Sequence, residues 1–299
     1  MRRLDATLAA IVAALALCAV LAFAFARLRQ RADVRRAERK RQYLSRPYAC
    51  PASALDRQFY FVRAHKYDVQ LASMWEEMAC EFPPDRLFML FDDSAGTMAD
   101  EFMREYGHRV LLHTADSCKR EVHPNQKDLW YHIECPYTLV YDFLRDRYPW
   151  FSYAWVIESD VYCDGSWRRA LAKADGMRED LLAVAPVSWE SLDAKGREWD
   201  HWDHVEGELE RIPKRHRWRA FIPVARFSPG MLALVKASIG HASGYAETYI
   251  ASLAIHNGKS VAQLPHSMFG QFNAGVAVRG SLVPDRRDDR LYHKFELYD

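Results

Sequence analysis

The chain has 299 residues, enough for one large domain or two small ones. Its 49% hydrophobic and 27% charged residues, with 13 Gly and 13 Pro, exclude a disordered or collagen-like chain, and no fixed-period repeat marks a solenoid. The net charge of +1 is unevenly spread: nine Arg and Lys face only Asp33 and Glu38 within residues 27–46, and Arg2, Arg3 and Asp5 precede them. Residues 47–299 therefore carry about −7, which argues against a nucleic-acid partner.

After a short tail, residues 1–7, the segment Leu8–Ala26 runs 19 residues without a charge. A membrane-spanning helix needs ~20. With Arg2 and Arg3 ahead of it, this segment is expected to be an uncleaved transmembrane signal-anchor. Ala24-Phe25-Ala26 also resembles a signal-peptidase site, but the apolar run is longer than that of a usual cleaved leader. Residues 27–47 form a basic stem, rich in Arg, Ala, Glu and Lys and free of Gly and Pro before Pro47. Positive flanks favour the cytosolic side, or the stem lies along an anionic membrane surface.

Residues 48–299 alternate short apolar runs with amphipathic segments, the mark of βα units. Strands are expected at Phe59–Val62, Leu87–Phe91, Val110–His113, Tyr153–Ile157 and Leu181–Ala185. Helices are expected at Val69–Cys80, Met98–Tyr106, Trp130–Arg147, Met231–Ile239 and Ala246–His256. Residues 188–220, dense in Trp, His and charge, read as a substrate-facing insertion or long loop, and residues 280–299 as a polar loop. Six cysteines form no CxxC pair, so a structural zinc site is not expected; disulfides and reduced thiols both remain open.

The most specific local feature is Trp155-Val156-Ile157-Glu158-Ser159-Asp160-Val161, followed by Gly165-Ser166-Trp167. Two carboxylates at i and i+2 leave a buried strand on one face. Hard oxygen ligands of this kind suit Mg²⁺ or Mn²⁺ and can share the ion with phosphates. Parallel sheets place ligands at the carboxyl ends of their strands, where Asp92, Asp93, Glu158 and Asp160 all fall.

This stretch resembles the DxD-type motif of GT-A-fold nucleotide-sugar glycosyltransferases, in a variant with Glu in first place. Arg226–Leu232 resembles the segment before their acceptor-side helix, Gly244–Ile250 the stretch where a carboxylate faces the acceptor, and Leu291–Lys294 the late segment that supplies a histidine. The resemblance spans about residues 57–295 and rests on the order of short motifs. It implies an α/β fold with a GT-A-like, Rossmann-type mixed sheet flanked by helices, here preceded by one transmembrane helix.

The resemblance also implies roles. Asp160 would bind a divalent ion, Mn²⁺ or Mg²⁺, with Glu158 in support and His293 as third ligand. Glu158, Asp160, Asp92 and Asp93 would bind the donor, and Glu247 would be the general base. The partners would be a nucleotide-sugar donor, a glycan, glycolipid or glycoprotein acceptor, and the membrane through residues 8–26. The setting would be a single-pass type II protein of the Golgi or another secretory lumen. A metal-dependent hydrolase of phosphodiesterase type and an inactive carbohydrate-binding module are the alternatives. Arg226, Arg279 and Lys294 are candidate phosphate contacts; Trp189, Trp199, Trp202 and Trp218 are candidate sugar-stacking residues; His201 and His204 are a zinc pair in want of further ligands. No Gly-x-Ser-x-Gly, P-loop or Gly-x-Gly-x-x-Gly motif is present.

Overall fold

Strand β1 (Gln58–Ala64) shows how the sheet is made: Phe59 and Phe61 point to one face, Tyr60 and Val62 to the other, and all four are buried. Such two-sided apolar strands belong in the middle of a layered α/β structure. The computed structural model describes residues 57–121, 134–193, 200–272, 278–279, 288–293 and 295–296. They all lie in the second of two units, Met1–Ala49 and Cys50–Asp299. The expected tail 1–7, anchor 8–26 and stem 27–47 lie outside the described residues. Among the described residues no helix is long and apolar enough to cross a membrane.

Seven strands form the main sheet in the order β3 (Val110–His113), β2 (Leu87–Asp92), β1, β4 (Tyr153–Glu158), β8 (Trp218–Phe227), β6 (Leu181–Ser188), β10 (Val261–Gln263). β3, β2, β1 and β4 are mutually parallel, as are β6 and β10, while β8 runs antiparallel to both its neighbours. The α/β order expected from the alternation of runs is present, and the sheet is mixed, as the resemblance implies. A smaller sheet joins β5 (Tyr162–Cys163), β13 (Leu291–His293) and β11 (Phe269–Phe272). β7 (Val205–Gly207) pairs with β9 (Ala242–Gly244), and β12 (Val278–Arg279) with β14 (Phe295–Glu296).

Helices cover both faces. α1 (Val69–Ala79) starts where the Asp68 carboxylate accepts the Leu71 N–H at 3.0 Å, and it buries Leu71, Met74, Trp75 and Met78 at helical spacing. These pack with Tyr60, Val62, Met89 and Phe91 in one core layer. The other layer joins Phe59, Phe61, Phe88 and Leu90 to α4 (Glu134–Arg147), α7 (Pro229–Ala237) and α8 (Ala246–His256). α7 is set by Ser228, whose hydroxyl caps Met231 N–H at 3.0 Å, followed by Pro229 in the first turn. α2 (Asp100–Tyr106), α3 (Ala115–Glu121), α5 (Trp167–Ala172) and α6 (Trp189–Asp193) complete the set among the described residues.

Two expectations are corrected. For residues 188–220 the long-loop alternative is overturned: those described hold the end of β6, α6, β7, short 3₁₀ turns and the start of β8. Within 280–299, Leu291–His293 is a strand, because β5 and β11 offer it partners on both sides. Of the cysteines, Cys118 in α3 and Cys135 in α4 form a disulfide.

Candidate active site

The order β3–β2–β1–β4 reverses direction of travel at β1 and β4, and ligands bind outside the carboxyl ends of strands at such a switch point. There a cleft of about 550 Å³ opens. The ends of the four strands supply Arg63, Asp92, His113 and Glu158, and the turn after β4 supplies Asp160. From across the cleft come Phe221 of β8, Glu247 of α8 and His293 of β13.

The turn after β4 is held by main chain. Ser159 N–H donates to Arg63 O at 3.0 Å, Val161 N–H donates to Glu158 O at 3.1 Å, and the Gln70 side chain donates to Ser159 O at 3.1 Å. Arg63 Nη2 lies 3.1 Å from Glu158 Oε1. Burial works against the Arg63 charge, but Glu158 beside it leaves the guanidinium pKa above its ordinary value.

His293 reaches the same turn through strand pairing. β13 runs antiparallel to β5, with Leu291 opposite Cys163 and Tyr292 opposite Tyr162. One residue further, the buried His293 places Nε2 at 3.3 Å from Asp160 Oδ2 and 4.0 Å from Glu158 Oε2. One ligand atom from each of Glu158, Asp160 and His293 lies within 4.8 Å of the others. Asp160 Oδ1 is buried without a hydrogen-bond partner. A buried carboxylate oxygen without a partner is costly unless something else satisfies it, and a cation between two carboxylates and an imidazole does so. These residues fit a divalent ion.

Glu247 lies in the first turn of α8. Burial pushes its carboxyl up to about 7; Arg219 opposes that shift, the charge of Glu158 adds to it, and His293 reduces it. His113 is driven the other way, to about 4, by burial, with Asp92 opposing and Arg63 adding. Its imidazole is neutral near pH 7, and its buried Nδ1 has no partner.

The structure thus gathers Glu158, Asp160, His293, Glu247 and Asp92 around one cleft. Asp93 is not among the lining residues: its carboxylate accepts Met98 N–H at 3.1 Å and shapes the turn after β2. Asp92 lines the cleft and also accepts Ser94 N–H at 2.9 Å. Arg226 is corrected outright. It is fully buried, donates to Ala174 O at 3.0 Å and Met177 O at 2.7 Å, and lies 3.8 Å over the Tyr153 ring. It braces the core and does not face a phosphate. Trp202 is buried, and Trp189 and Trp218 are half-buried, none of them lining the cleft. Trp199, Lys294 and the Arg279 side chain lie outside the described residues. His201 and His204 face each other, Nδ1 to Nδ1 at 3.0 Å, and belong to no three-ligand group among the described residues. Arg63, His113, Phe221 and Arg219 were not singled out from sequence. For the first two a signal existed: a charged or imidazole residue closing an otherwise apolar strand, in FVRA and VLLH.

No family model matches the chain, and no curated protein matches it. Solved structures do. A mannose-1-phosphate geranyltransferase from Thermus thermophilus is 16% identical with a TM-score of 0.34, over 60% of each chain. A mannosyltransferase, PcManGT from Pyrobaculum calidifontis, in complex with GDP-Man and Mn²⁺, is 11% identical with a TM-score of 0.37, over 76% of this chain and 61% of that one. Mouse xyloside xylosyltransferase 1 is 8% identical with a TM-score of 0.39, over 73% and 88%. The chain spans about 60% of the length of the first two. The functional reading of this chain rests on its own residues.

Proposed function

We propose that residues 48–299 are a GT-A-like catalytic domain that transfers a sugar from a nucleotide-sugar donor to a hydroxyl of a glycan, lipid or protein, and that Leu8–Ala26 anchors it as a type II protein facing a secretory lumen such as the Golgi. The observation that carries this reading is that ligand atoms of Glu158, Asp160 and His293 lie within 4.8 Å of one another, with Asp160 Oδ1 lacking a hydrogen-bond partner, in one cleft with the half-buried Glu247. A three-residue, half-open ligand set leaves positions for phosphate oxygens and water.

Asp160 and His293 would hold the divalent ion, Mn²⁺ or Mg²⁺, and Glu158 would complete the set while paired with Arg63. When bound, the ion would offset charge on the departing diphosphate. Asp92 and His113, at the ends of β2 and β3, would face the nucleoside. Glu247 would take the proton of the acceptor hydroxyl as its oxygen bonds to the anomeric carbon. The bond from that carbon to the diphosphate breaks, and the electron pair leaves with the nucleoside diphosphate. One base and one displacement imply inversion at the anomeric carbon. A base whose pKa lies near the working pH combines a usable ionised fraction with driving force for proton transfer, and burial of Glu247 supports that role.

The test is release of nucleoside diphosphate from a panel of nucleotide sugars by the full chain in detergent. Mn²⁺, Mg²⁺ and chelator would be compared, with Asp160→Ala beside the parent. Metal-dependent release from one donor, lost in Asp160→Ala, is the expected result. A folded protein that neither binds nor turns over any donor with any metal would sink the reading, and metal-dependent phosphodiester hydrolysis would replace it with the hydrolase alternative.

A further inference from the structure

His293 comes from a three-residue strand that follows the last strand of the main sheet by nearly thirty positions. Pairing with β5 and β11 holds that strand, and a second set of contacts lies four residues before the histidine. Asp289 adopts a left-handed backbone, φ 51°, which non-glycine residues rarely take and keep only when their surroundings demand it. Here its Oδ2 accepts Arg169 Nε at 2.8 Å, and its Oδ1 accepts Arg169 Nη2 at 3.0 Å and the Ser166 N–H at 2.9 Å. Both side chains of the pair are largely buried. A forked, charge-assisted pair of this kind fixes orientation as well as distance.

The contacts around the pair tie the segment just before β13 to the turn after β5 and to the end of α5. Lys173 Nζ donates to the carbonyls of Asp288, Asp289 and Ser267 at 3.1, 2.8 and 2.9 Å. Asp164 N–H donates to Arg290 O at 3.0 Å. A Cβ on Gly165 would stand 2.4 Å from Asp289 Oδ1, so only glycine lets the two segments meet. The receiving end is itself rigid: Glu81 accepts the N–H groups of Trp167 and Arg168 at 3.2 and 3.0 Å at the start of α5. The same chain segment, Tyr162–Cys163, pairs with β13 on one side of this clamp and joins Asp160 on the other.

We propose that the Arg169–Asp289 ion pair is a positioning latch for the metal site: by holding β13 in register on β5, it sets His293 against Asp160 and Glu158, and so governs the affinity for a divalent ion that neither residue touches. This rests on the reading that those three residues hold the ion. Groups that orient metal ligands from behind commonly contribute 10- to 100-fold to metal affinity.

The test is titration of the full chain in detergent with Mn²⁺, following the electron paramagnetic resonance signal of the free ion. Arg169→Met is expected to weaken Mn²⁺ binding on the order of 10- to 100-fold. Asp289→Asn keeps an acceptor for Ser166 and a residue tolerant of positive φ, so it is expected to weaken binding less. If Arg169→Met loses its native circular dichroism, Asp289→Asn carries the comparison. In a His293→Ala background, Arg169→Met is expected to add no further loss, an outcome that general destabilisation would not produce. Parent-like Mn²⁺ affinity in the folded latch variants, or an equal further loss without His293, overturns the latch while leaving the metal site standing. No Mn²⁺ binding by the parent chain overturns the three-residue site, and the latch falls with it.

Discussion

Glu247 is a carboxyl placed where its charge is unfavourable. Its ordinary value is 4.5, and burial raises it to about 7. The folded chain therefore holds the proton more tightly than the unfolded one. Stability tied to this group is complete below about 4.5 and falls as pH rises to about 7, where the ionised form must be carried inside the fold. With chelator present, Glu247→Gln should match the parent at pH 4 and exceed it at pH 8 by about 2–3 kcal/mol in urea unfolding. Equal stability at both pH values would show that the carboxyl is not confined as described. For the proposed base role the sign is reversed, because a base must be ionised: the parent rate should rise with pH as Glu247 ionises, at or below about 7 once a cation offsets the charge of Glu158, and Glu247→Gln should lose about 10²- to 10⁴-fold in kcat.

Among the elements, α3 and α4 depend on each other. Each begins beside the cleft, and the Cys118–Cys135 disulfide joins them across a sequence separation of 17. A closed loop of that size contributes about 3 kcal/mol, chiefly by restricting the unfolded chain. Reduction, or the paired change of both cysteines to serine, should lower the urea midpoint by a corresponding amount. Cys80 is exposed and outside this disulfide, so a change there should not reproduce the loss. Neither this pairing nor α3 could be read from the sequence. Seven residues, Ala-Asp-Ser-Cys-Lys-Arg-Glu, carry no apolar stripe, and cysteine spacing does not encode partners. β13 was missed for a related reason: Leu-Tyr-His is strand only because β5 and β11 flank it. By contrast, Phe59–Val62, Leu87–Phe91, Val110–His113 and Tyr153–Ile157 were legible as strands, because continuous apolar runs of that length belong in a buried parallel sheet.

For the molecule as a whole, strand order matters more than any single contact. It brings together side chains separated by up to 230 positions, from Arg63 to His293, at one switch point. Glu158 and Asp160 were visible locally, as an acid pair after an apolar strand. Arg63 and His113 carry a local signal, a polar side chain late in an apolar strand, but that they share one cleft follows from β1, β2 and β3 lying side by side. β8 was not legible either: its first residues, Trp-Arg-Ala-Phe, lack a clean alternation, and its reversed direction is set by neighbours on both sides. Since an ion held by the folded chain alone stabilises it by mass action, Mn²⁺ at about 100 times its dissociation constant should add about 2.7 kcal/mol to the folding free energy. A rise in melting temperature for the parent and none for Asp160→Ala would bear this out; equal shifts in both would place the ion elsewhere.

All seven strands of the main sheet lie before residue 264, whereas the histidine of the candidate metal site comes at 293. The candidate ion site therefore depends on chain that the main sheet does not use. A chain cut back before β13 would keep every strand of that sheet and still lack the third ligand.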